Sequence, residues 1–367
     1  MTRTLHTPIL ATLLIPVAMP ALAEFKYTLD NGGTMLFYGQ LDPAYLSFDD
    51  GVSTTSELVD NTNSNSRVGL DFMQDYGHNV FRFNFETALG FRQSASVNQT
   101  STPDAWDWEK TDIRKVDFSL KTPMYGTFYA GQGSMATDGV AENDLSGTTL
   151  VTYASISDTA GGFEFRTSAG ALSGVTIGST FTDLDGGRRG RVRYDTPTLA
   201  GFTLSAAWGQ EILADNNDDE FYDVALRYAG EFGAVRIAGG VGYTNRDSGG
   251  VDTGDTIGSI SILHDSGFNI TVAAGDRDNS GNYGYGKLGY IGNWFSVGST
   301  ALSIDYYDGS DFVSQGSSAT STGFGAVQKF DDINLEAYLG YRTYELSEVG
   351  QSYRDADSVL FGARIKF

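Results

Sequence analysis

The sequence predicts an all-β protein, a transmembrane antiparallel up-and-down β-barrel of about 16 strands. First, apolar and polar residues alternate with a period of two in many segments, which is the pattern of a strand with two different faces. Second, short turns and longer polar loops alternate between these segments. Third, 46 glycines, 20 tyrosines and 23 phenylalanines favour strands and turns over helices.

The last ten residues show the alternation most clearly. One face of this segment carries Val359, Phe361, Ala363, Ile365 and Phe367. The other face is polar apart from Leu360. Segments 80–91, 221–228, 268–274 and 333–343 alternate in the same way, and their polar faces carry charges of both signs. A β-sandwich core would bury such charges at high cost, so a wall between lipid and water is the better prediction.

The N-terminus predicts export. Arg3 precedes an apolar stretch at 9–17, and the small-residue motif Ala21-Leu22-Ala23 follows. We interpret residues 1–23 as a secretory signal peptide, because the apolar run is too short for a membrane anchor. Residues 24–367 then form one barrel domain. The chain has no cysteine, so it forms no disulfide in an oxidising compartment.

The connections predict both the strand count and one special loop. Short turns are expected near 75–78, 122–126, 196–200, 230–233, 264–267 and 331–332. Longer loops are expected near 47–63, 93–111, 135–188, 211–219, 245–255, 309–321 and 346–356. This gives about 16 strands with both chain ends on the short-turn side. Segments 163–166 and 175–181 of the longest loop could instead be strands, which would give 18.

Other classes of protein are disfavoured. The formal net charge of −22 excludes nucleic-acid binding by a basic surface. The glycines from Gly284 to Gly289 match a dinucleotide motif, but no helix is expected after them. We find no catalytic constellation and expect no enzyme activity.

Metal binding is predicted only weakly. The segment 276–281 resembles the start of a calcium loop, but Lys287 stands where a bidentate glutamate is needed. No cofactor is therefore expected, except for loosely bound calcium in this loop. Acidic loop residues such as Asp183 and Asp185 either keep exposed loops soluble or bind divalent cations that bridge to anionic lipid head groups.

Four segments resemble recurring strands of Gram-negative general porins. They are MLFYGQLD at 35–42, SRVGL at 66–70, YGTFYAGQ at 125–132, and VRYDTPTLAGFTL at 192–204. The signal peptide and the terminal Phe367 fit the same family. One departure is Gln132, where many relatives have a basic residue.

The resemblance implies an outer-membrane homotrimer of 16-stranded channels whose third long loop folds into the lumen. Such a channel passes small hydrophilic solutes and ions by passive diffusion, among outer-membrane lipid and lipopolysaccharide. Phe367 would be the signal recognised by the outer-membrane assembly machinery. The alternatives are a substrate-selective outer-membrane channel and a non-conducting surface barrel for adhesion or anchoring.

The resemblance also implies a pore constriction in which acidic loop residues face basic wall residues. Strand parity gives Arg67, Arg82, Arg189, Arg191 and Arg193 as candidates for the basic wall. The acidic candidates on loop 135–188 are Asp138, Glu142, Asp144 and Asp158. Any single arginine could equally serve to hold a neighbouring strand.

Overall fold

The computed structural model describes residues 25–367, and their main structure is one closed antiparallel barrel. The predicted signal peptide lies outside the described residues. The first strands are β1 (Phe25–Thr28), β2 (Thr34–Leu41), β3 (Pro43–Asp49), β4 (Thr54–Asp60), β5 (Arg67–Tyr76), β6 (Asn79–Ala88), β7 (Ile113–Thr122) and β8 (Gly126–Ser134).

Two short strands and two one-turn helices lie in the long loop that follows β8. They are α1 (Ser157–Ala160), β9 (Glu164–Arg166), β10 (Leu172–Thr176) and α2 (Ile177–Thr180). The strands β9 and β10 pair with each other as a separate two-stranded sheet. The alternative count of 18 is therefore wrong, because this hairpin adds nothing to the wall.

The remaining strands complete the wall. They are β11 (Arg188–Asp195), β12 (Phe202–Gln210), β13 (Glu220–Phe232), β14 (Val235–Ser248), β15 (Val251–His264), β16 (Phe268–Arg277), β17 (Asn282–Phe295), β18 (Gly298–Ser310), β19 (Ser318–Phe330), β20 (Leu335–Glu348), β21 (Gln351–Ser352) and β22 (Ala356–Lys366).

The last strand closes the cylinder, as predicted. Along its length β22 pairs with β20 on one side and with β3 on the other, and its end reaches β2. The backbone groups of Phe367 and Gly39 then exchange two hydrogen bonds of 2.8 and 3.0 Å. The closed wall has 16 strands when β2 with β3, and β4 with β5, are each counted as one interrupted strand and the short strands β1 and β21 are not counted separately.

Two predicted loops are largely strand. Residues 47–63 form most of the β3–β4 hairpin, and residues 245–255 form the tip of the β14–β15 hairpin. The β14–β15 turn consists of Gly249 and Gly250, whose φ angles of 62° and 87° suit glycine. These hairpin ends have polar residues on both faces, so their sequences have the composition of loops.

A hydrophobic core lies inside the barrel, between the long loop and the wall. Phe163 of the loop stacks on Phe48 of β3 with ring centroids 4.1 Å apart, and both are fully buried. Phe181 packs edge-on against Tyr307 of β18 and Tyr344 of β20. Leu360, the apolar exception in the closing strand, belongs to the same cluster. The loop therefore fills part of the lumen, and this core fixes it to one side.

Candidate functional site

The loop at 135–187 begins by attaching to the polar inner face of the wall. The carboxylate of Asp223 on β13 accepts hydrogen bonds from the backbone N–H groups of Ala136 (3.1 Å) and Thr137 (2.7 Å). Further along the loop, the N–H groups of Asn143 and Leu145 donate to serine hydroxyls of β15 at 3.1 and 2.9 Å. The first part of the loop is thus held close to the wall.

A buried ion pair continues this attachment. Lys287 of β17 donates from Nζ to Asp144 Oδ2 (2.8 Å) and to the Thr152 carbonyl oxygen (2.5 Å). Its side chain is fully buried, and that of Asp144 is 3% exposed. Lys287 therefore joins two points of the loop to the wall. Glu142, Tyr153 and Ser155 lie within three residues of these points.

A cavity of about 360 Å³ lies between the long loop and the part of the wall that contains Arg67 and Arg114. Five carboxyl groups line its loop side: Asp138, Glu142, Asp158, Asp183 and Asp185. Arg67 and Arg114 line its wall side, Arg188 lies where the loop rejoins the wall, and residues 62–65 complete the lining. The cavity thus has one acidic face and one basic face.

The loop itself holds the acidic face in place. The Asp185 carboxylate accepts hydrogen bonds from the N–H groups of Gly139 (2.5 Å) and Ala141 (2.7 Å). Tyr153 donates its hydroxyl to Asp158. Ser155 Oγ lies 2.7 Å from Glu142 Oε1 and also contacts the carboxylate of Asp183.

Burial and mutual repulsion raise the proton affinity of this acidic face. Burial raises the pKa of Asp158 to about 7, and the neighbouring Asp183 adds to the shift. Burial and Asp183 together raise the pKa of Asp185 to about 8. The pKa of Glu142 is raised well above its ordinary value, first by burial and then by Asp183. The charge of the face therefore changes across the neutral pH range.

The arginines of the basic face carry more positive charge than the neighbouring carboxylates neutralise. Glu86 on β6 lies 2.7 Å from Arg114 Nε and 3.8 Å from Arg67 Nε, so one carboxylate serves two arginines. At the loop end, Arg188 and Asp138 are separated by 3.8 Å. An arginine keeps its charge at all ordinary pH values, so this face stays positive.

Four of the nine predicted constriction residues line the cavity. They are Arg67 on the wall and Asp138, Glu142 and Asp158 on the loop. Among the predicted acidic residues, Asp144 lies elsewhere, buried against Lys287. It therefore holds the loop to the wall and does not face the cavity.

Four predicted arginines also lie outside the cavity lining. Each has an acidic partner. Arg82 pairs with Asp71 (2.6 Å), Arg191 with Asp117 (2.8 Å), and Arg193 with Asp195 (2.7 Å). Arg189 is 3.6 Å from Glu211 and lies over the ring of Phe221. Parity placed Arg189, Arg191 and Arg193 on one strand face, but it could not show that each has a nearby carboxylate.

Four charged residues that line the cavity are not among the predicted constriction residues. Arg114 was not selected, although it lies at an irregularity in the β6–β7 pairing. For Asp183 and Asp185 the sequence predicts either a role in loop solubility or the binding of divalent cations, and strand parity selects Arg189 in place of Arg188. A signal was available, because this acidic pair and Arg188 lie within six residues at the end of the longest loop.

The segment resembling a calcium loop is divided between two strands. Asp276 lies in β16, and residues from Asn282 to Lys287 lie in β17. Within residues 25–367, no group of three or more His, Cys, Asp or Glu side chains is arranged to hold a metal ion. The same part of the chain contains no helix that is long and apolar enough to cross a membrane.

Comparison with known proteins identifies the family. The family model for Gram-negative porins matches residues 10–348. The chain belongs to the Gram-negative porin family. A comparison with curated proteins gave no match. As a member of this family, the porin is an outer-membrane channel for the passive diffusion of solutes.

Solved porin structures share its fold at low sequence identity. The anion-selective porin from Comamonas acidovorans has a TM-score of 0.62 and 14% identity, over 91% of this chain and 100% of that chain. OmpF of Salmonella typhi, in complex with daunomycin, gives 0.59 and 12%, over 93% and 100%. The trimer form of OmpT of Vibrio cholerae gives 0.56 and 16%, over 91% and 99%. At these sequence identities, the similarity to the three structures is evidence for the fold alone.

Proposed function

We propose that solutes cross this porin through the cavity between the acidic edge of the loop and the basic wall. The observation that supports this is the imbalance of charge on the two faces. Among residues 25–367, the only ion pair made by the five cavity carboxyl groups is the 3.8 Å contact between Asp138 and Arg188. Arg67 and Arg114 share Glu86. Unpaired charges on opposite faces produce a field across the pore.

Such a field acts as a filter. It orients water and polar solutes, so an apolar solute that displaces this water loses favourable interactions. Selectivity between ions depends on which face carries more charge. At alkaline pH the five carboxyl groups outnumber the three cavity arginines, so we propose a preference for cations there. The anion selectivity stated for the Comamonas porin belongs to that protein.

We further propose that the porin is a homotrimer in contact with outer-membrane lipid. The OmpT structure in its trimer form supports this assembly. Outward-facing residues of the tall wall support the lipid contact, including Ile260, Val272 and Tyr306, which are 41%, 44% and 49% exposed. Phe367 remains our candidate for the residue that the assembly machinery recognises.

Planar-bilayer recordings in a salt gradient test this proposal. We expect openings in groups of three, with a ratio of K⁺ to Cl⁻ permeability that rises from pH 5 to pH 9. The direction follows from the raised pKa values of Asp158 and Asp185, to about 7 and 8. Below these values Asp158 and Asp185 are neutral while Arg67, Arg114 and Arg188 stay charged, so acid pH shifts the preference towards anions.

The outcomes separate the candidate functions. A selectivity that does not change between pH 5 and pH 9 would show that ions do not pass the acidic face. Saturation of the current by a single solute would favour a substrate-selective channel. Correctly folded barrels that never conduct would favour the adhesion or anchoring function. Folding is checked by the gel mobility of unheated and boiled samples.

A further inference from the structure

The wall of the barrel has a gap at its long-loop end, between β7 and β8. The pairing of these two strands ends at Val116 and Gln132. Beyond this point β7 pairs only with β6, as far as Ile113, and β8 pairs only with β11, as far as Ser134. A second cavity, of about 290 Å³, lies at this gap and is lined by residues of β7, β8, β11 and the loop that follows β12. We call it the wall-gap cavity.

Three arginines line the wall-gap cavity, and two of them have unused hydrogen-bond donors. The three are Arg114, Arg188 and Arg189. Arg189 donates from Nη1 to the carbonyl oxygen of Arg188 (2.7 Å), and Arg188 lies 3.8 Å from the Asp138 carboxylate, too far for a hydrogen bond. In the described part of the chain, the buried Nε atoms of Arg188 and Arg189 have no partner. Each guanidinium has five N–H donors, so most of these donors are free for a ligand.

The carboxyl groups of the lining are occupied elsewhere. Glu211 and Asp112 are the two acidic lining residues. One oxygen of Glu211 accepts from the N–H groups of Leu213 and Ala214 in its own loop, at 2.9 and 3.1 Å. Its other oxygen lies 3.6 Å from Arg189 Nη1. Asp112 accepts from an N–H group of its own helical turn at 2.9 Å. Neither carboxylate therefore satisfies the donors of the two arginines.

Gln132 is a buried amide of the same lining that also lacks a partner. The residue is 6% exposed, and its Oε1 atom has no hydrogen-bond partner among residues 25–367. Burying an amide without a partner costs free energy, which a bound ligand would recover. No protein contact of Oε1 fixes which end of the amide faces the cavity, so its NH₂ group can turn towards a ligand oxygen. Gln132 shares the face of β8 that carries Phe128, which is 48% exposed on the outer surface. The cavity is therefore open to a ligand at the outer rim of the barrel.

We propose that the wall-gap cavity binds a phosphate group through Arg188, Arg189 and Gln132. Guanidinium groups pair with phosphate oxygens through two parallel N–H donors, and a phosphate has enough oxygens to accept from both arginines and from the amide. Arg114, whose Nε atom donates to Glu86 at 2.7 Å, adds a further positive charge. The phosphate group is either free phosphate or part of a lipid head group at the rim. This proposal does not rest on the proposed route of solutes through the 360 Å³ cavity.

Titration calorimetry of the purified porin with inorganic phosphate, at constant ionic strength, tests the site. We expect wild-type protein to bind phosphate and Arg189→Gln to weaken this binding by about tenfold or more, because a hydrogen bond to a charged group is lost. Gln132→Leu should also weaken binding, and its fold is not at risk because the amide oxygen has no protein partner. The matched control is Arg236→Gln, which removes an exposed arginine far from the cavity lining and should bind as the wild type does.

Native mass spectrometry with phosphatidic acid, a lipid with a terminal phosphate, separates the two sources. Phosphatidic acid that stays bound to wild type and to Arg236→Gln, but not to Arg189→Gln or Gln132→Leu, would identify a lipid phosphate. Binding of inorganic phosphate alone, with the same dependence on the variants, would identify the free ion. If neither probe binds, or if both bind the two cavity variants as tightly as the wild type, the proposal is wrong. Neither measurement involves current, so the result is independent of the ion route.

Discussion

Replacement of Lys287 by methionine is expected to release the loop from the wall. The change leaves Asp144 buried without a cation, and breaking a buried ion pair in this way costs about 3–5 kcal/mol. It also removes the hydrogen bond to the Thr152 carbonyl oxygen. The backbone ladder of β17 does not depend on this side chain. We therefore expect a folded barrel whose loop is cleaved faster by protease and whose single-channel current is noisier.

A double variant distinguishes the charge from the packing. Lys287→Met combined with Asp144→Leu replaces both charged groups by apolar ones, which is often close to neutral for a buried pair. We expect this double variant to recover most of the wild-type resistance of the loop to protease. A double variant as sensitive as the single one would show that the loop depends on the ion pair itself, and that the unpaired charge of Asp144 is not the cause of the effect in the single variant.

Replacement of Phe163 by alanine is expected to weaken the docking of the same loop by about 3–5 kcal/mol, the usual cost of truncating a buried phenylalanine. Phe163 is fully buried and stacks on Phe48 of the wall. Because Phe163 belongs to the loop, the cost falls on the contact between loop and wall and not on the strand pairing. Larger uncharged sugars should then pass faster in liposome-swelling measurements.

The matched control is Phe324→Ala on β19. Phe324 is 49% exposed on the outer surface, so its truncation removes apolar area without touching the loop. It should leave the size limit for sugars as in the wild type. An unchanged size limit in Phe163→Ala would mean that the loop does not determine the width of the pore.

The fold could be predicted from sequence because a barrel strand has a period of two. The alternation fixed the number of wall strands, the closing strand and the position of the long loop. A short apolar run has the same composition in a wall strand as in a loop hairpin, so composition could not show that β9 and β10 pair with each other. It also could not separate exposed hairpin ends from loops, because both are polar.

The constriction was only partly predictable. Parity gives the lumen-facing arginines of a regular strand, but it fails for Arg114 at an irregularity in the pairing and for Arg188 at the start of a strand. It also does not show which arginines have an acidic partner. Arg191 illustrates the reason. Its direct neighbour across the ladder is Gly131, whose neighbour on the next strand is Asp117. Glycine has no side chain, so Arg191 reaches over it to Asp117 at 2.8 Å. This pairing depends on the register of three strands, which no single segment reveals.

The central claim is that ions pass between the acidic loop and the basic wall, and blocking this cavity tests it most directly. The chain has no cysteine, so a single introduced thiol is the only reactive one. Asn65→Cys places it in the cavity, and Val272→Cys places it on the outer surface as a control. We expect a bulky charged thiol reagent to reduce the single-channel current of Asn65→Cys and to leave that of Val272→Cys unchanged. Complete modification of Asn65→Cys, shown by mass spectrometry, with an undiminished current would contradict the account.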